Sequence, residues 1–230
     1  PIADPDMIQA FAQNIEAMGV ESLWMGEHVV LFDETVHPYP GSRDGKIPVP
    51  AGGGMLDTVS TFSFLAGCTE TLRFGTGITL LPQRNPVYTA KEFATLDWLT
   101  KGRVDFGVGG GWNREEMENH GGDWIRRWKL MRERIEAMKA IWTRDVASYE
   151  GEFVNFEDIW SWPKPVQKPH PRPRFDLSGY QPALRKAAAQ FQVTVRQRCA
   201  CAGQQGAKHK QKPFHSCNSL CRCNMTFGLA

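Results

Sequence analysis

Two ionisable side chains, Glu27 and His28, stand at the end of the apolar run in "SLWMGEHVV", Ser22 to Val30. An imidazole titrates near neutrality, so at the mouth of a strand it can give or take a proton during a reaction. A neighbouring carboxylate can fix the ring's tautomer or bind the polar edge of a ligand. The same pair can also be a structural hydrogen-bonded couple, and adjacency alone does not separate the two readings. Two further stretches have the residue types of a ligand cradle: Gly75-Thr76-Gly77-Ile78-Thr79 and Gly107-Val108-Gly109-Gly110-Gly111-Trp112-Asn113. Glycine lets a planar ring or a phosphate approach the backbone closely. A Gly-Thr-Gly turn taken alone is equally what a β-bulge needs.

The glycine run fails as a dinucleotide fingerprint. Gly107 and Gly109 fit its first two positions, but the third falls on Trp112, where close helix–strand packing demands glycine. No P-loop Gly-Lys-Ser/Thr sequence occurs.

Strand and helix signals alternate along the first three quarters of the chain. Asp4 or Asp6 can cap a helix with Ile8, Phe11, Ala12, Ile15 and Met18 at helical spacing, and Gly19 ends it. The strand through Trp24 and Met25 follows, and then a Pro-, Gly- and Asp-rich loop, Leu31–Gly54. Loops of that length inside a domain are usually functional or disordered, and a substrate lid is the expectation here. Further helices are expected through Leu56–Ala66, from Asn85-Pro86 to before Gly102, and around Leu130–Trp142. Further strands are "LRFGTGITLL", "RVDFGVGGG" and "RFDLSG", with short extended pieces in "SYEGEFVNFEDIWSW". Trp24, Trp98, Trp128 and Trp142 read as core or helix-packing residues. The alternation implies an α/β fold with parallel strands, a (β/α)8 TIM-type barrel, with a doubly wound sheet as the competitor. In a barrel the three strand ends share the rim where active sites form.

Charge and cysteine divide the chain. Pro1 to Asp176 holds 19 Lys/Arg against 25 Asp/Glu, whereas Leu177 to Ala230 holds 8 Lys/Arg and no carboxylate. Cys68 stands alone early; Cys199, Cys201, Cys217, Cys221 and Cys223 crowd the end. The first part reads as a disulfide-free cytoplasmic domain with no membrane span and no signal peptide. For the tail, zinc binding through those cysteines with His209 and His215 does not match the paired spacing of common zinc sites. A nucleic-acid-binding arm lacks interleaved aromatics. Loss of the reading frame near Ala189 accounts for the abrupt change in composition.

Taken together, "GVESLWMGEHVV", "TLRFGTGITLLPQRNPVYTAKEFATLDWLTKGRVDFGVGGGWNREE" and "YEGEFVNFEDIWSWPKPVQKPHP" resemble the bacterial luciferase-like monooxygenase family of flavin- or deazaflavin-dependent oxidoreductases. The resemblance covers residues 1–189, most nearly to the deazaflavin subgroup, and leaves 190–230 as a basic, Cys-rich tail. It implies a (β/α)8 barrel, usually a homodimer, which is incomplete here, with the first strand and strands six to eight absent or unrecognisable. It also implies a deazaflavin (coenzyme F420) or FMN as cofactor and a small organic molecule as substrate, with no nucleic-acid or membrane partner and no metal. His28 and Glu27 are then the catalytic candidates. Gly77, Ile78 and Thr79 support the ring face, where a non-prolyl cis peptide is frequent. Gly109, Gly110, Gly111 and Asn113 line the ring, and Ser178-Gly179 holds the phosphate. The alternative is an inactive truncated barrel whose tail binds metal or nucleic acid.

Overall fold

A computed structural model describes residues 4–47, 49, 55–171 and 173–175. The expected Ser178-Gly179 site, the boundary near Ala189 and the Cys-rich tail lie outside the described residues.

Helix α1, Pro5–Ala17, starts where Asp4 accepts the Asp6 N–H at 2.8 Å, and it ends at Gly19, whose φ of +79° suits glycine. Strand β1, Ser22–Met25, leads into the long loop, which shows no regular structure in its described part. Helix α2, Thr58–Ala66, is capped by Asp57. Strands β2, Arg73–Thr76, and β3, Thr79–Leu80, flank a cis Gly77–Ile78 peptide. A 3-10 turn, Leu81–Gln83, precedes α3, Pro86–Leu99, with Asn85 as its cap. Strands β4, Val104–Asp105, and β5, Gly107–Gly109, are separated by Phe106. Then come the six-residue helix α4, Arg114–Asn119, and the long α5, Arg127–Thr143. An antiparallel hairpin of β6, Ala147–Glu150, and β7, Asn155–Ile159, precedes β8, Arg174–Phe175.

Pairing settles the competition between barrel and doubly wound sheet. β1 pairs parallel with β2, β2 with β4, β3 with β5, and β5 with β8. β2–β3 is one run interrupted at Gly77–Ile78, and β4–β5 one run interrupted at Phe106. Four parallel strands therefore stand in sequence order, with no reversal of the kind a doubly wound sheet uses at its switch point. The fold is part of a TIM-type barrel. Its core fills the space between strands and helices with Phe62, Phe74, Phe93, Phe106, Met138 and Ile141. Phe106 sits between the Phe93 ring at 4.2 Å and the Trp142 ring at 5.8 Å, so the break between β4 and β5 is also the point where sheet and helices lock together.

Of the four tryptophans expected as core or helix-packing residues, Trp142 is buried and Trp128 packs against the core from its edge. Trp24 and Trp98 are 41% and 56% exposed, so neither is a core residue. Trp98 lies in the last turn of α3, on its outer side, and the Trp24 ring covers Gly75, where a Cβ would approach to 2.4 Å.

Candidate active site

Glu27 and His28 leave β1 together but face different partners. The Glu27 carboxylate is buried. Its Oε2 accepts the Leu80 N–H at 2.6 Å and its Oε1 accepts from Arg84 Nε at 2.8 Å. Arg84 also reaches Glu92 at 2.8 Å and Asp57 at 3.3 Å. Burial works against the guanidinium charge, but Glu27, Glu92 and Asp57 outweigh it and push its pKa up. Glu27 thus ties the end of β1 to the end of β3. Its hydrogen bonds go to Leu80 and Arg84 and not to the imidazole, so the expected task of fixing the ring does not fall to it.

That task falls to Glu116, which the sequence reading did not single out. Its carboxylate is fully buried; Oε2 lies 2.7 Å from His28 Nδ1, and Oε1 accepts the Val29 N–H at 2.9 Å. On the ring's other side the Trp112 indole N–H donates to His28 Nε2 at 3.3 Å. An indole nitrogen can only donate, so Nε2 accepts, and Nδ1 carries the hydrogen that it gives to Glu116. Glu116 is placed by α4, whose cap Asn113 accepts the Glu116 N–H at 3.0 Å. The only hint of this partner in the sequence was the run Asn113-Arg114-Glu115-Glu116, a cap with acids in the first turn.

The glycines at these strand ends are closely packed by the protein itself. A Cβ on Gly107 would stand 1.9 Å from the Thr76 carbonyl oxygen, and one on Gly109 would stand 1.9 Å from Ile78 Cδ1. Thr76 Oγ1 further donates to Gly107 O at 2.7 Å and accepts the Gly107 N–H at 2.8 Å. Gly110 abuts the Trp128 ring, and Gly111 has φ +74°. The space a side chain would take at Gly107, Gly109 and Gly110 is filled by the protein's own neighbouring strand and helix. Ile78 therefore packs on Gly109, and buried Thr79 pairs with Val108 in the ladder. At Gly77, by contrast, a Cβ would find only Trp24 Cε3 at 3.7 Å and Met25 O at 4.0 Å.

Near Gly111 lies an unmet polar set. Gln83 Nε2 and Oε1 and Asn113 Nδ2 are buried without a hydrogen-bond partner in the protein. Gln83 Nε2 is 4.0 Å from where a Gly111 Cβ would be. Orphaned buried donors and acceptors are costly and call for an explanation. Among the described residues no cluster of His, Cys, Asp and Glu could hold a metal, and no helix is long and apolar enough to cross a membrane.

Likeness to known proteins bears on the family and the fold. The sequence model described as luciferase-like monooxygenase matches residues 2–193. The chain belongs to the luciferase-like monooxygenase family. Within it, the chain is 38% identical over 161 residues to an uncharacterized protein, Rv0953c, of Mycobacterium tuberculosis, covering 70% of this chain and 57% of that one. It is 36% identical over 118 residues to the FMNH2-dependent dimethylsulfone monooxygenase of Pseudomonas putida, covering 50% of this chain and 32% of that one. In fold it is similar to the monooxygenase RslO1 from Streptomyces bottropensis, with TM-score 0.65 and 24% identity, covering 81% of this chain and 51% of that one. It is also similar to an F420-dependent secondary alcohol dehydrogenase, with TM-score 0.58 and 20% identity, covering 75% and 48%. This luciferase-like chain thus spans little more than half the length of the first relatives it matches.

Proposed function

We propose that the chain carries the cofactor rim of an oxidoreductase that transfers a hydride between a flavin-type cofactor and a small organic substrate, or activates oxygen on it. The observation that carries this reading is the His28 imidazole, held by Glu116 through Nδ1 so that Nε2 is an acceptor, here for the Trp112 N–H. The orphaned Gln83 and Asn113 groups fit the polar edge of a flavin or deazaflavin ring, which alternates donors and acceptors. The cofactor, when bound, supplies the hydride chemistry; the chain supplies orientation, water exclusion and proton handling. His28 Nε2 holds or takes a proton at the rim, while Glu116 keeps the ring oriented and stabilises the charge that results. Glu27 supports the rim from below by joining β1 to β3.

For the cofactor, the FMNH2-dependent relative is similar in sequence, whereas the likeness to the F420-dependent enzyme is one of fold. FMN is therefore the first choice and coenzyme F420 the second. Absorbance titration of the purified, folded chain with each decides. Saturable binding with a spectral shift for one of them supports the reading and names the cofactor. Flat titrations with both, in a sample whose circular dichroism shows the folded state, overturn it.

A further inference from the structure

Helix α4 grips the loop after β1 at two points. Glu116 Oε1 accepts the Val29 N–H where the loop leaves the strand. Glu115 Oε1 accepts the N–H groups of Val36 at 2.8 Å and His37 at 3.1 Å, and lies 3.0 Å from His37 Nδ1. Partial desolvation works against the Glu115 charge, but these hydrogen bonds outweigh it and hold the carboxyl at about 2. Beyond the grip, Tyr39 N–H donates to Gly45 O at 2.7 Å and closes the tip of the loop. The Tyr39 ring meets the Trp112 indole edge-on, with centroids 5.0 Å apart. That indole is the one whose N–H sits on His28 Nε2.

We propose that residues 29–47 form a strap latched by Glu115, and that Tyr39 and Trp112 key it to His28, so that the latched strap covers the imidazole and the released strap bares it. The purpose of such a strap rests on the reading of His28 given above; the latch itself needs no cofactor. Two features make it a latch and not a fixed wall. Little apolar burial holds the strap, since Val36 is 88% exposed and Phe32 38% exposed. Glu115 Oε2 is also buried without a partner, so release returns that oxygen to water and offsets part of the lost hydrogen bonding. A substrate group can reach Nε2 only after the Trp112 indole swings away, and that movement removes the surface on which Tyr39 rests. Opening the strap and baring the catalytic nitrogen are then one event.

The test uses the folded chain alone, with diethyl pyrocarbonate as an imidazole probe and amide hydrogen exchange, both read by mass spectrometry of peptides. Wild type should modify slowly at His28. Glu115→Ala should modify several-fold faster at His28 and lose amide protection at Val36 and His37. Tyr39→Ala should speed His28 modification while those two amides keep their protection. His170, packed on Trp142 at 5.7 Å, serves as the internal reference. If Glu115→Ala misfolds by circular dichroism, Glu115→Gln and His37→Ala take its place. An unchanged His28 rate in the variants, or unchanged Val36 and His37 exchange, overturns the proposal. Flat cofactor titrations would sink the functional reading and leave this result standing.

Discussion

At His28 the two ring nitrogens differ in role because their neighbours differ in kind. A carboxylate accepts from Nδ1, and an indole that can only donate faces Nε2. This arrangement leaves Nε2 as an acceptor, taken by the Trp112 N–H, while Nδ1 is held by the carboxylate. Replacement His28→Ala should therefore lower turnover by about 100-fold or more. It should also lower the melting temperature, because it leaves the fully buried Glu116 Oε2 without its partner. Turnover is therefore compared with wild type at a temperature where circular dichroism shows both folded. Turnover equal to wild type in that folded sample would mark the ring as structural. His28 itself was legible in the sequence, because an ionisable pair ending an apolar run has few uses. The division of labour between Glu27 and Glu116 was not. Glu116 lies 88 residues from its imidazole, on a six-residue helix too short to show a period.

Among the elements, helices announced themselves through caps and spacing: Asp4 and Asn85 sit where helices begin, and Gly19 where one ends. The strands were legible as runs but not as broken runs. Apolar character continues through Gly77–Ile78 and through Phe106, so nothing in the residue types marks where pairing moves from β2 to β3 or from β4 to β5. At the glycine-rich ends sequence shows only that space is left, not what borders it. Thr76 and Ile78 border it at Gly107 and Gly109. Gly107→Ala should thus be the more damaging change, by about 3 kcal/mol, because the obstacle is the Thr76 backbone carbonyl. Gly109→Ala should cost less, because Ile78 Cδ1 is a side-chain end that can rotate. Urea unfolding of both variants checks the order, and equal or reversed losses would contradict it.

Across the whole molecule, one surface carboxylate fastens α1 to the turn that leads into β2. Glu16 accepts the N–H groups of Glu70, Thr71 and Leu72, the last two at 2.6 and 2.7 Å. Partial burial works against its charge, yet these donors hold its pKa down from 4.5 to about 2. A carboxyl with a depressed folded pKa contributes stability above its unfolded value and loses it on acidification. That contribution should be complete above pH 4.5 and vanish as pH falls toward about 2. In urea midpoints measured against pH, Glu16→Gln should lie below wild type near neutrality and converge with it in acid. A constant gap would contradict the assignment. In the proposed function the rim where β1, β3 and β5 end receives the cofactor's polar edge at Gln83 and Asn113. Gln83→Ala tests it most directly in the titration with whichever of FMN and coenzyme F420 binds. Removing an amide with two unpaired buried groups should leave the melting temperature unchanged or raise it. Affinity should fall about tenfold, equivalent to about 1.4 kcal/mol. Affinity equal to wild type in a folded Gln83→Ala sample would contradict the account.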